Sequence, residues 1–90
     1  MKKLQVTKQF KKDVKKLKKQ KKDFDKLKGV IDTICENEKL EPQYKDHKLI
    51  GNYNKARECH IEADWLLIYE VFENTVKLRR IGSHAELFKS

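Results

Sequence analysis

The chain lacks any long apolar run. Its longest, WLLIY at residues 65–69, has five residues, where a helix that spans a bilayer needs roughly 20. No apolar segment of signal-peptide length follows the basic N-terminus, so no membrane partner is expected and the location is expected to be cytoplasmic. Cysteine is scarce as well. Cys35 and Cys59 make no CxxC and sit in no zinc-ligand spacing. Each lies beside apolar positions of a periodic segment, which reads as a reduced thiol in a core. None of the three histidines belongs to an HxH or HxxxH pair, so neither a metal site nor a cofactor is expected. Proline occurs once, at position 42, and glycine three times, and neither interrupts residues 10–28. No internal repeat is present.

What the chain has in excess is lysine, and only at one end. Residues 1–30 hold 13 Lys or Arg against 3 Asp or Glu, while residues 31–90 hold 9 against 11, so the net charge of +8 sits entirely in the first third. Such a pole attracts polyanions and speeds encounter with them. RNA, DNA, an acidic membrane and an acidic protein all qualify, as does a plain solvated lysine face. The backbone-contacting candidates are Lys11, Lys12, Lys15, Lys16, Lys18, Lys19, Lys21 and Lys22, which can grip phosphates but cannot choose bases.

Periodicity gives the architecture. KKLQVTKQ alternates, with Leu4 and Val6 on one side, and reads as a first strand. Phe10, Val14 and Leu17, then Phe24, Leu27, Ile31 and Ile34, recur at helical spacing. They mark two amphipathic helices that part near KKQKKD, or one continuous helix. Residues 35–56 are irregular, with a short strand expected at Leu49–Ile50 and a turn at Asn52–Asn54. In ARECHI, alternation puts Glu58 and His60 on one face and Arg57, Cys59 and Ile61 on the other. WLLIYEVF is the central strand, TVKLRRIG alternates less cleanly and is the next, and SHAELF allows one helical turn with Ser83 and Glu86 as a capping box. The expected fold is α+β: one domain over residues 1–90, in which an N-terminal strand and two or three helices pack on one face of a small, mainly antiparallel twisted sheet.

Three imidazoles, His47, His60 and His84, then fall in a pre-strand loop, on a strand and just after the last strand. Asp46 and Asp64 flank them and Glu58 lies two residues before His60. Imidazole gives and takes protons near neutrality. Cleavage of RNA by internal transfer needs a base for the 2′-hydroxyl, an acid for the departing 5′-oxygen and a donor for the phosphoryl oxygens.

The segments YKDHKL, RECHI followed by DWLLIY, and RIGSHAELF are similar, in order, to the YafQ-type branch of the RelE/ParE superfamily of toxin–antitoxin toxins. The resemblance covers the last half of the chain. It implies a toxin that is an endoribonuclease on messenger RNA at the ribosome, and a cognate antitoxin that wraps and silences it. It implies His47, His60, Asp64 and His84 as catalytic residues and Phe88 as an aromatic that holds a nucleobase. The family's commoner aspartate is here Glu58, placed with Arg57 and Arg80 among the substrate-binding candidates. A toxin that acts by binding alone, or a plain RNA-binding module, is the alternative. His84 and Phe88 are four apart, so one helical turn would set them on the same side.

Overall fold

A computed structural model describes residues 2–49 and 56–88. The elements run β1 (Lys3–Val6), α1 (Lys8–Lys18), α2 (Phe24–Cys35), a 3-10 turn (Pro42–Tyr44), β2 (His47–Lys48), β3 (Arg57–Glu62), β4 (Trp65–Val71), β5 (Thr75–Gly82) and α3 (His84–Leu87). The sheet order is β1-β5-β4-β3-β2. β1 is parallel to β5, and the other three pairings are antiparallel. The architecture is the α+β arrangement expected, on a mixed but mostly antiparallel sheet.

Two helices form, not one. Thr7 caps α1 by accepting the Phe10 N–H, and Lys15, Lys16 and Lys18 sit in its last turn, where cations suit the C-terminal end of the helix dipole. The chain then turns through Lys21 in the left-handed region, φ 53°, and Asp23 caps α2 by accepting from the N–H groups of Asp25 and Lys26. Phe10, Leu17, Leu27, Val30, Ile34 and Cys35 bury the inner stripes against Cys59, Ile61, Trp65, Leu67 and Tyr69 of the sheet. Both cysteines are free and buried, and burial pushes the Cys59 thiol up to about 12.

β4 is apolar from Trp65 to Tyr69 because both of its faces are covered there. Leu66 and Ile68 turn away from the helices and meet Ala56, Leu49 and Leu87 in a second, smaller cluster. The short α3 is thereby tied down by Leu87. Gly82 permits the close approach: a Cβ there would lie 3.2 Å from the Glu86 carboxylate and 3.5 Å from Leu87. The imperfect alternation of β5 has a cause. Tyr69 pairs with Leu78 and Ile68 with Arg80, so Arg79 is the extra residue of a bulge. Leu78 and Ile81, three apart, consequently both reach the main core.

The short strand before β3 lies at His47–Lys48, two residues earlier than expected, because these residues pair with Glu58 and Arg57. Leu49 follows it outside the strand, and Ile50 and the Asn52–Asn54 turn lie outside the described residues.

A buried carboxylate that sequence reasoning missed closes the edge of β5. β1 accompanies β5 only as far as Leu78. Beyond that point Asp13, 8% exposed, takes over the role of a neighbouring strand. It accepts the Ile81 N–H at 3.1 Å, Arg80 Nε at 2.9 Å, Arg80 Nη2 at 3.2 Å and the Gln9 amide at 3.1 Å. Its signal was legible in principle: it is the only acid in α1 and lies on the stripe between Phe10 and Leu17. Asp13→Ala is expected to lower stability by about 2 kcal/mol, since it strands a buried N–H and removes the carboxylate from a buried ion pair. Asp13→Asn, which keeps an acceptor, should cost clearly less. Urea unfolding checks both, with the midpoint moving and the slope unchanged.

Candidate active site

The pleat of β3 sends Cys59 and Ile61 into the main core and therefore Glu58 and His60 to the other face. There His47, directly across from Glu58 in the β2–β3 ladder, joins them. α3 crosses the same face on its Leu87 anchor and adds His84. The three imidazoles form a row, with ring centroids 6.4 Å apart from His47 to His60 and 5.7 Å from His60 to His84. Phe88, 41% exposed, extends the row at 6.3 Å from His84. Residues from three separate stretches of sequence thus share one surface.

Two carboxylates stand behind the row in different ways. Glu58 is buried, and its Oε1 lies 3.4 Å from Nε2 of both His47 and His60. A ring nitrogen and a carboxylate oxygen attract only when a proton lies between them, so Glu58 can steady a proton on either imidazole. His47 Nδ1 lies 2.6 Å from the Lys45 carbonyl. A carbonyl only accepts, so Nδ1 carries its hydrogen and Nε2 is the atom turned to Glu58. Asp64, at the β3–β4 turn, is exposed instead. Its Oδ1 accepts from the His84 backbone N–H at 3.0 Å and from His84 Nδ1 at 2.9 Å. This double contact fixes the ring and leaves Nε2 outside it. The same two donors, the backbone N–H first and the ring second, hold the Asp64 carboxyl below the usual carboxylate range.

The shell around the row is carried by charge pairs. Ser83 and Glu86 make the capping box foreseen for α3, and Lys16 reaches from α1 to Glu86 at 2.6 Å. Lys16, Ser83 and burial act together on Glu86, with the two hydrogen-bonding partners prevailing and holding its carboxyl down. At the other end Asp46 anchors the segment that carries His47. It accepts from Arg57 Nε at 3.2 Å, Arg57 Nη2 at 3.1 Å and the Tyr69 hydroxyl at 2.6 Å. Burial and the neighbouring carboxylate push the Tyr69 hydroxyl far up.

Arg57 does not join the imidazoles, whereas Arg80 leaves β5 on their face of the sheet, opposite Ile68, which itself pairs with Glu58. Arg57 lies on the helix-covered face of the sheet, with Tyr69 and Asp46, as strand alternation requires. Arg80 is held by Asp13 and lines a cleft of about 380 Å³ beside Lys12, Lys16 and the flank of α3. Lys11, Lys15, Lys18, Lys19 and Lys21 are exposed, and Lys22 places its ammonium 5.8 Å from the Trp65 ring centre. The lysine surface and the imidazole row therefore adjoin at α3. Sequence reasoning also missed Tyr69, which read as core alone, and the Gln43–Lys45 turn, which carried no periodic signal.

The donor set is also one that a transition metal accepts. Ligand atoms of Glu58, His60 and His84 lie within 4.8 Å of one another, and two imidazoles with one carboxylate suit such ions. No sequence spacing announced it, because the three are gathered by strand pairing and by α3.

A family described as the bacterial toxin of type II toxin–antitoxin systems, YafQ, matches residues 2–89. The chain is 41% identical over 81 residues to the mRNA interferase toxin YafQ of Escherichia coli K12, which covers 89% of this chain and 88% of that protein. Among solved structures, a copper-bound mutant toxin from Helicobacter pylori superposes with a TM-score of 0.94 at 44% identity, over 98% of this chain and 100% of that one. The E. coli DinJ–YafQ complex matches with a TM-score of 0.90 at 37% identity, over 98% and 99% of the two chains. With the fold, the imidazole row and these likenesses in agreement, the chain belongs to the YafQ family of type II toxin–antitoxin toxins, in the RelE/ParE superfamily.

Proposed function

We propose that this toxin is an endoribonuclease that cleaves messenger RNA at the ribosome by internal transfer. The observation that carries the reading is the unbroken row His47–His60–His84–Phe88 with a carboxylate behind each end of the imidazole set. His60, backed by Glu58, takes the proton of the 2′-hydroxyl. The freed oxygen attacks the adjacent phosphorus, and the bond to the 5′-oxygen breaks as His84 donates its proton to that leaving group. The products are a 2′,3′-cyclic phosphate and a free 5′-hydroxyl. Asp64 orients His84, since its accepting oxygen is already committed to that residue. His47 donates to the phosphoryl oxygens as negative charge builds. Phe88 stacks a splayed base, and the lysines of α1 grip RNA backbone without regard to sequence.

The YafQ structures from E. coli include complexes with the antitoxin DinJ. We extend this to a cognate antitoxin for the present chain, with acidic segments suited to the basic pole. The bind-only alternative makes a different demand, for it has no use for three proton carriers. His60→Ala and His84→Ala are each expected to lower cleavage of translated messenger RNA by roughly 10²–10⁴-fold, with thermal stability and antitoxin capture unchanged. Wild-type rates in both variants would leave the binding reading standing.

A second reading concerns metal. The H. pylori relative is copper-bound, and here Glu58, His60 and His84 offer a fitting set. An ion there occupies the ring nitrogens that the reaction needs for protons, so it acts as an inhibitor and not as a cofactor. Cleavage should survive treatment with a chelator and fall on addition of copper(II), in step with binding seen by calorimetry.

The Asp64 contact has a pH signature. A carboxyl depressed in the folded state contributes its contact above its unfolded pKa and loses it as pH falls through the folded value. By carboxyl-carbon NMR, Asp64 should titrate below the usual carboxylate range. In His84→Ala the midpoint should rise only part of the way, because the backbone donor remains.

A further inference from the structure

A second cavity opens directly on the imidazoles. It measures about 580 Å³ and is lined by Lys26, Gln43, Tyr44 and Lys45 on one side and by the β3 residues His60–Glu62, Ala63 and His84 on the other. This volume falls in the range of about 300–1,000 Å³ usual for small-molecule sites. Phe88 does not line it and lies beyond His84 in the row. A strand of RNA centred on His60 and His84 therefore meets the aromatic ring on one side and this cavity on the other.

The polar side chains on the Lys26 and Gln43–Lys45 side of the cavity are uncommitted. Among the described residues, the Gln43 amide and the Tyr44 hydroxyl make no hydrogen bond, and neither Lys26 nor Lys45 makes an ion pair. The contrast is the cleft beside α1, where Glu86 takes Lys16 and Asp13 takes Arg80. The turn is also built to present its side chains. Pro42 starts it, Tyr44 is packed against the main core on one edge, and Lys45 leaves it in the left-handed region at φ 48°. Its carbonyl holds His47. A half-buried aromatic, an amide able to read a base edge and two ammonium groups at the rim are what a single-stranded nucleotide needs. Glu62 adds an acceptor for an exocyclic amine.

We propose that this cavity is a nucleotide-binding subsite, receiving the RNA nucleotide next to the scissile phosphate on the side opposite Phe88. The inference rests on the ribonuclease reading above, which supplies the substrate class. In it the Tyr44 ring meets the base, Gln43 and Glu62 read its edge, and Lys26 and Lys45 hold the flanking phosphate.

The test uses the full chain and 2′-O-methyl RNA oligonucleotides, which bind but cannot be cut. Gln43→Ala and the pair Lys26→Gln with Lys45→Gln remove exposed groups that make no contact the fold depends on; Tyr44→Leu keeps apolar bulk on the core. Each should raise the Kd about tenfold. On translated messenger RNA, KM should rise by a similar factor with kcat within about twofold, and base preference at one position beside the cut should flatten. Lys39→Gln, an exposed change away from the row, should alter neither. Unchanged Kd and cut-site profile in all three cavity variants, while the wild type cleaves, would overturn the subsite and leave the ribonuclease reading intact. A wild type whose oligonucleotide binding is lost in those variants, yet which cuts nothing, would keep the subsite and sink the cleavage step.

Discussion

The two-residue period of β3 is the constraint on which the site depends. Cys59 and Ile61 enter the main core, where they pack with the buried face of α2 and with Trp65 and Leu67. A strand cannot bury one set of side chains without turning the alternate set out. Glu58 and His60 are thus placed by their apolar neighbours, with an accuracy that a loop would not give. A slip of one residue would bury His60 and expose Cys59, and the cost of burying an unpaired imidazole and carboxylate forbids it. The same pairing lays His47 opposite Glu58, so one register fixes three of the polar groups at once.

The fourth group arrives by a different device, in which charge works beside apolar area. Three carboxylates serve as clamps. Asp13 closes the edge of β5 where β1 runs out. Glu86 closes the start of α3 and is itself caught by Lys16. Asp46 pins the edge strand through Arg57 and Tyr69. Each carboxylate satisfies backbone or side-chain donors that would otherwise be stranded at an element boundary, which is where orphan groups accumulate. α3 has four residues and no helical stability of its own. Leu87 beneath it and Glu86 beside it hold His84 and Phe88 in place near a chain end.

Much of this was legible in the residues. The face shared by Glu58 and His60, the capping box at Ser83, the central place of β4 and the core thiols all follow from patterns local to one element. What was not legible depends on geometry between elements. Arg57 stands among the substrate-binding candidates although alternation already turns it from His60, and the Asp46 clamp that holds it comes from another stretch of chain. Asp13 looked like one acid among lysines. Arg79 hid a bulge, because TVKLRRIG reads as a poor alternation unless one residue is left out. The donor set of Glu58, His60 and His84 has no sequence spacing at all, since β3 supplies two members and α3 the third. The Gln43–Lys45 turn is the extreme case: its side chains gain meaning only from the cavity that they wall.

The proposed chemistry also explains why the row is left open. The side chains of His84 and Asp64 are 55% and 66% exposed, and in water a charge pair of that kind is weak. A cleft of low polarity would strengthen it, and the protein does not build one. RNA laid along the row, with the ribosome behind it, would exclude water from the same surface and let Asp64 act on His84 at full strength. The lysines of α1 would supply the electrostatic pull that brings such a cover, and α3 is where their surface meets the imidazoles. An acidic antitoxin segment drawn to the same lysines would compete for that approach. On this view the toxin carries its proton donors in correct geometry at all times, and the missing element is the dry surroundings that only its substrate assembly provides.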